Sequence, residues 1–189
     1  MRGDYRASWD DCFGGGGWRG RQKWRWGSAR KVIQVVRREL ARMLVLDPNA
    51  CVKLLETIDR EIEADSTAGE TTGVIALISG REIVGASVGD SEAWLISPRG
   101  AERLTSGQMR KPFLGSGVAS PVAFRASFTE GSLLVGSDGL FKYTSEEKIC
   151  AAVLEKDLKI AVDSLVRLVG LPSGTLPDDV GIALARRSD

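Results

Sequence analysis

The sequence predicts an α+β fold with a layered antiparallel core. Two observations carry that prediction. The order of elements is helices, then short β-rich runs, then helices, then a last strand, which suits segregated layers rather than alternating βαβ units. The hydrophobic period also changes near Thr71, from helical spacing to the short alternating runs of strands. A chain of 189 residues is long enough to bury a substantial core in one domain.

Regular order is expected from about Ala29. In "ARKVIQVVRRELARMLV", Val32, Val35 or Val36, Leu40, Met43 and Leu44 fall on one face at helical spacing. Asp47-Pro48 reads as an N-cap followed by proline at the first helical position. "NACVKLLETIDREIEA" then forms a second helix with Val52, Leu55, Ile58 and Ile62 inward. From Thr71, "TTGVIALIS", "EIVGASVGD" and "EAWLISP" read as strands punctuated by Gly80-Arg81, Asp90-Ser91 and Pro98-Arg99-Gly100. "PVAFRASF" and "SLLVGSD" are expected to pair around the turn "TEG". Thr144 and Glu147 have the spacing of a capping box before "EEKICAAVLE". "DLKIAVDSLVRLVG" is a helix ending at Gly170, and "DDVGIALARR" holds the terminal strand.

Composition narrows the chemistry. The formal charge is +1, so no global field selects nucleic acid or membrane. Cys12, Cys51 and Cys150 are odd in number and far apart, which implies neither a zinc site nor a disulfide framework and suits a reducing cytoplasm. Cys51 and Cys150 read as core residues, and Trp94 as packed on a sheet face. No apolar run is long enough to span a bilayer, and the basic opening has no apolar segment of a secretory signal. The chain contains no histidine, so imidazole acid–base catalysis, Ser-His-Asp triads and histidine metal ligands are excluded together.

Three acidic turns remain as candidate chemistry. Asp90 lies in "SVGDSEAW", between two strands. Asp138 ends the apolar strand "LLVGSD". Asp178 and Asp179 open "LPDDVGIAL". Aspartates at strand ends beside glycine are held on a rigid scaffold with their oxygens facing an open edge, which suits hard divalent cations such as Mg²⁺ or Mn²⁺.

In that order, "TTGVIALI", "VGDSEAWLI", "GSLLVGSDGLF" and "PDDVGIALAR" resemble the later motifs of the type 2C metal-dependent protein phosphatases, over roughly Gly69 to Arg187. The resemblance implies two stacked antiparallel β-sheets flanked by helices, N-terminally incomplete, with a binuclear Mn²⁺ or Mg²⁺ site at one end. It makes Asp138 a metal ligand bridging toward the second ion and Asp178 the other carboxylate ligand. Asp179 stands where the family often has asparagine and would sit behind the ligands, as would Gly139. Asp90 would order the loops, and Thr71 and Thr72 would pack beneath the site. The implied activity is hydrolysis of phosphoserine and phosphothreonine by a metal-activated water, with a phosphoprotein substrate. The alternative is a catalytically inactive remnant of the fold that acts as a binding module. Three departures are visible: Glu92 replaces the usual arginine after "GDS", Lys142 follows "DGLF" where an acid is frequent, and the segment "TSGQMRKPFLGSG" has no aspartate.

The family's Asp-Gly-x-Gly-Gly loop is also missing. It belongs just ahead of the first long helix, where "GGGGWRGRQKWRWGSAR" stands instead. Reading the gene one nucleotide later turns each tryptophan codon, TGG, into a glycine codon, so Trp18, Trp24 and Trp26 become glycine. With permissive codons the run from Gly17 becomes Asp-Gly-Ala-Gly-Gly, preceded by an apolar stretch. Residues 1–28 are therefore read as an irregular basic segment translated out of frame, and 29–189 as the phosphatase-like domain. A basic tail, or a stacking site for single-stranded nucleic acid, are the competing readings of that segment. Nothing elsewhere in the chain supports the latter, so neither a nucleic-acid nor a membrane partner is expected.

Overall fold

A computed structural model describes residues 22–40, 47–171, 173 and 175–187. The expectations for residues 1–21, including the frame reading as far as it concerns them, and those for Met43 and Leu44 lie outside the described residues. The elements run α1 (Gln22–Leu40), α2 (Pro48–Glu63), β1 (Gly73–Ser79), β2 (Glu82–Val88), β3 (Glu92–Ser97), β4 (Gly100–Arg103), β5 (Val122–Ser127), β6 (Ser132–Gly136), α3 (Asp138–Phe141), α4 (Glu146–Val153), α5 (Leu158–Val169) and β7 (Ile182–Arg186). One sheet has the order β1-β2-β5 and the other β4-β3-β6-β7, with every pairing antiparallel. The α+β fold of two antiparallel sheets flanked by helices is the observed one.

Strand alternation builds the layers, because successive side chains point to opposite faces. On β3, Ala93 and Leu95 face the space between the sheets, with Leu133 and Val135 of β6 and Ile83 of β2. Trp94, Ile96 and Leu134 face the other way, onto Leu140 of α3, Ile149 and Val153 of α4, and Leu165 and Val169 of α5. Ile75, Ala86 and Val88 of the first sheet pack on Cys51, Leu55, Ile58 and Ile62 of α2 and Val35 of α1. The order from one side to the other is helix, sheet, sheet, helix.

The helix carried by Pro48 forms where its cap predicts. Asp47 accepts from the amides of Asn49 (2.7 Å) and Ala50 (3.1 Å), satisfying donors that the first turn leaves unpaired. Asp47→Ala is expected to lower stability by about 1 kcal/mol, read as a shift of the denaturation midpoint at unchanged slope. Of the expected inward residues on α2, Val52 is only half-buried, while Cys51, Leu54 and Asp59 are buried. Helix α1 begins at Gln22, ahead of the expected Ala29, and Leu40 is exposed. It is tied to the end of α2 by Arg38, whose Nη2 lies 2.5 Å from Glu61 Oε1.

Two local expectations are corrected. β5 and β6 do not pair with each other. β5 adds to β2, with Val84 opposite Arg125, and β6 adds to β3, with Trp94 opposite Leu134. Leu133, Leu134 and Val135 are apolar on both faces and need a central strand. β5 alternates buried Phe124 and Ala126 with exposed Arg125 and Ser127, which suits a sheet edge. The turn after β5 therefore crosses between sheets. At α4 the N-cap is Ser145 rather than Thr144, and Thr144 Oγ1 is buried without a partner. Thr144 lies one residue too early to reach the first turn. Two short elements, β4 and α3, went unread in the sequence.

Candidate active site

The site lies where β2, β6 and the loop before β7 end. β2 runs into Gly89, which has φ +96°, a left-handed conformation that glycine adopts without a Cβ penalty. A Cβ there would stand 2.6 Å from Thr72 Cγ2. Thr72 thus packs under the turn, and its hydroxyl lies 2.7 Å from Ser91 Oγ. Asp90 at the turn accepts from Arg110 Nε at 3.1 Å, and Gln108 Nε2 donates to Ser91 O at 2.8 Å. These two bonds lace the 105–113 segment to the β2–β3 turn.

Asp138 is placed by a second lattice of bonds. Ser137, at the end of β6, donates its amide to Gly181 O (3.0 Å) and its hydroxyl to Asp179 O (3.0 Å). The same hydroxyl accepts from Gly181 N at 2.9 Å. The next residue, Asp138, opens the short helix α3, whose Gly139 abuts the main chain of Asp179. Asp178 is half-buried and its Oδ1 accepts from Asp179 N at 2.8 Å, while Asp179 is exposed. The two aspartate turns that the sequence separates by 40 positions are therefore held together by Ser137 and Gly139.

Asp138 and Asp90 open onto one cavity of about 520 Å³, shared with Arg103, Gln108, Arg110 and Lys142. Asp178 and Asp179 do not line it. Asp178 reaches this neighbourhood electrostatically through Lys142. The Lys142 ammonium is held above the ordinary lysine range, first by the adjoining Tyr143 and then by the negative fields of Asp178 and Asp138. Glu92, the departure after "GDS", has its own partner: its Oε2 accepts from Trp94 Nε1 at 2.6 Å. Arg103 lies 4.7 Å over the Trp94 ring and binds Glu146 at 2.8 Å.

Three positions that brace this end of the fold carry no local signal in the sequence: Ser137, Gln108 and Asp59. Asp59 is buried on α2 and accepts from the amides of Gly115 (2.6 Å), Gly117 (3.2 Å) and Ala119 (3.1 Å). It anchors the segment that follows Arg110. Asp59→Ala leaves those three amides without their acceptor, and is expected to cost about 3 kcal/mol with faster amide exchange confined first to residues 115–119.

Asp138 and Asp178 are hard oxygen donors suited to Mg²⁺ or Mn²⁺, which commonly take one or two carboxylates and keep several waters. Among the described residues no group of three or more His, Cys, Asp or Glu side chains forms a metal cluster. The described residues therefore do not by themselves complete a two-ion cradle.

No protein-family model matches the chain, and no curated protein matches it by sequence. Solved structures do match by fold. A bacterial serine phosphatase aligns at 22% identity and TM-score 0.71, covering 84% of this chain and 78% of its own. Stp1, a serine/threonine phosphatase from Staphylococcus aureus, aligns at 20% identity and TM-score 0.68, over 85% of this chain and 77% of its own. The catalytic domain of the serine/threonine protein phosphatase PstP, solved in complex with two manganese ions, aligns at 18% identity and TM-score 0.73, over 85% and 80%. The sandwich described above is the fold of these bacterial serine/threonine phosphatases.

Proposed function

We propose that this chain is a metal-dependent protein phosphatase that hydrolyses phosphoserine and phosphothreonine monoesters on phosphoproteins, using Mn²⁺ or Mg²⁺. The observation that carries this is the joining of the Asp138 turn to the Asp178–Asp179 loop beside an open cavity, in a fold shared with serine/threonine phosphatases. Asp138 and Asp178 are the residues that would hold the ion. When bound, a divalent ion supplies a water of lowered pKa and neutralises charge on the transferring group. Asp90 does not act on the ion; it fixes Arg110 and, with Gln108, the rim of the cavity. Thr72, Gly139 and Asp179 support the two turns from behind. Histidine is absent from the chain, so no imidazole protonates the leaving group.

The phosphatase-like domain is proposed for residues 29–189, with the basic segment 1–28 preceding it and residues 22–28 opening α1. No helix among the described residues is long and apolar enough to cross a membrane. The cytoplasm is the proposed location, without a nucleic-acid or membrane partner, on the strength of near-neutral charge and unpaired cysteines.

The alternative reading is a catalytically inactive remnant of the fold that acts as a binding module. A single assay separates the two. Hydrolysis of p-nitrophenyl phosphate and of a phosphoserine peptide by the full chain in millimolar Mn²⁺, abolished by chelator, is expected of the phosphatase. Absence of turnover in both Mn²⁺ and Mg²⁺, with the chain folded, selects the binding module.

A further inference from the structure

We propose that Arg110 is a specificity-determining residue, whose guanidinium receives an acidic side chain that flanks the phosphoserine of a peptide substrate. The inference rests on the phosphatase reading and names the class of substrate that this site prefers. Arg110 lines the cavity onto which Asp138 opens, and its side chain is 73% exposed, which puts it at the mouth rather than deep in the wall. Among the described residues one bond holds it there, Nε to Asp90 Oδ2 at 3.1 Å. That bond leaves the two terminal nitrogens free, and their N–H fork matches the geometry of a carboxylate. The anchor is itself braced. Asp90 sits in the turn that Thr72 and Gln108 fix through Ser91, with bonds of 2.7 and 2.8 Å. The guanidinium is therefore presented rather than merely present.

Charge and size point to a flanking acid on a peptide. Arg103 is committed to Glu146 and the Trp94 face, and Glu92 to Trp94 Nε1. The segment 105–113 on this side of the mouth contains Arg110 and Lys111 and no acidic residue, so it meets an incoming chain with positive charge. A cavity of about 520 Å³ is large enough for a ligand well beyond one phosphoryl group. A phosphoserine directed at Asp138 thus carries its neighbouring residues past Arg110. Met109, 59% exposed and adjoining Arg110, adds a pliant apolar surface to the same rim. Asp90 offsets part of the Arg110 charge and the contact is open to solvent, so the preference for an acid is modest and salt-sensitive.

The test is fluorescence anisotropy of two labelled peptides with the full chain in millimolar Mn²⁺. Both carry a non-hydrolysable phosphonate in place of the phosphoserine phosphate; one has glutamates flanking that residue and the other alanines. Wild type is expected to bind the glutamate peptide roughly fivefold tighter at low salt, with the preference shrinking as NaCl is raised. In Arg110→Gln the two peptides should bind about equally. Asp90→Ala separates a positioned fork from bare charge. It makes the rim more positive, yet it frees Arg110 from its anchor, so the preference should fall. A preference that survives Arg110→Gln, or that rises in Asp90→Ala, overturns the assignment. An equal loss of both peptides in Arg110→Gln also overturns it, and places the guanidinium on the phosphoryl group instead. Wild type that binds the two peptides equally, or binds neither, overturns it as well. Absence of hydrolysis in the Mn²⁺ assay above is a separate result: it removes the phosphatase reading, while anisotropy still reports the preference for glutamate.

Discussion

Asp138→Asn is expected to remove Mn²⁺-dependent hydrolysis of p-nitrophenyl phosphate, with a fall in kcat/KM of at least ~10³, or about 4 kcal/mol of transition-state stabilisation. The carboxylate does little else. Its main-chain oxygen closes α3 onto Lys142, and that bond survives the substitution. Among the described residues its side chain accepts no hydrogen bond from the protein, and it opens onto the cavity beside Arg110 and Lys142. Asparagine has the same shape but carries no charge, and its amide offers one oxygen where the carboxylate offers two. The loss should therefore fall on metal and rate, not on folding, and the thermal midpoint should stay within a few degrees of wild type. Asp179→Asn is the matched control. That side chain is exposed and stands behind the turn, so the substitution should leave most of the activity in place. Retained hydrolysis in Asp138→Asn would remove Asp138 from the site, and equal losses in both variants would point to a general effect of charge at this end of the sheets.

How far the sequence revealed this site depends on the range of the interaction. Local signals were legible. Asp47-Pro48 announced α2 because a cap and its amides are two and three residues apart. Trp94 was placed on a sheet face by alternation alone, and it is almost fully buried. The acidic turns were legible because aspartate beside glycine at the end of an apolar run needs no partner to be noticed. Pairing was not legible. The three-residue turn after Phe128 looks the same whether its flanking strands form a hairpin or cross between sheets. Only the two-faced burial of Leu133, Leu134 and Val135 against the one-faced pattern of β5 decides it. Asp59 was hidden for a related reason. It sits beside Ile58 on an amphipathic helix, where helical periodicity gives it a solvent-edge place, and its three amides lie 56 to 60 residues later. Ser137 reads as an ordinary turn serine until Asp179 and Gly181 are brought alongside. The bonds that make the site are thus the long-range ones, and periodicity carries no information about them.

Gly139→Ala is expected to damage both fold and site, by a route that involves no change of charge. A Cβ at this buried position would lie 2.6 Å from the carbonyl oxygen of Asp179 and 3.3 Å from its carbon and from Val180 Cγ2. The nearest obstacle is backbone, so it cannot swing away as a flexible side chain would. The loop before β7 must retreat, and Ser137 then loses the geometry of its bonds to Asp179 and Gly181. Overpacking of this kind costs about 1–3 kcal/mol, against up to ~1 kcal/mol gained from replacing glycine within a helical turn. A net loss of about 2 kcal/mol would lower the thermal midpoint by roughly 4–8 °C in a domain of this size. The more telling effect is at temperatures where the variant is fully folded. Asp178 travels with the displaced loop while Asp138 stays on α3, so under the proposed shared-ion assignment Mn²⁺ affinity should fall in proportion to activity. Gly181→Ala supplies the contrast, since a Cβ there meets nothing within 4 Å and the amide that donates to Ser137 is kept. It should bind Mn²⁺ as wild type does. If Gly139→Ala also binds as wild type once folded, close packing of α3 on the Asp179 main chain does not position Asp178, and the carboxylate pair must be held by the Ser137 bonds alone.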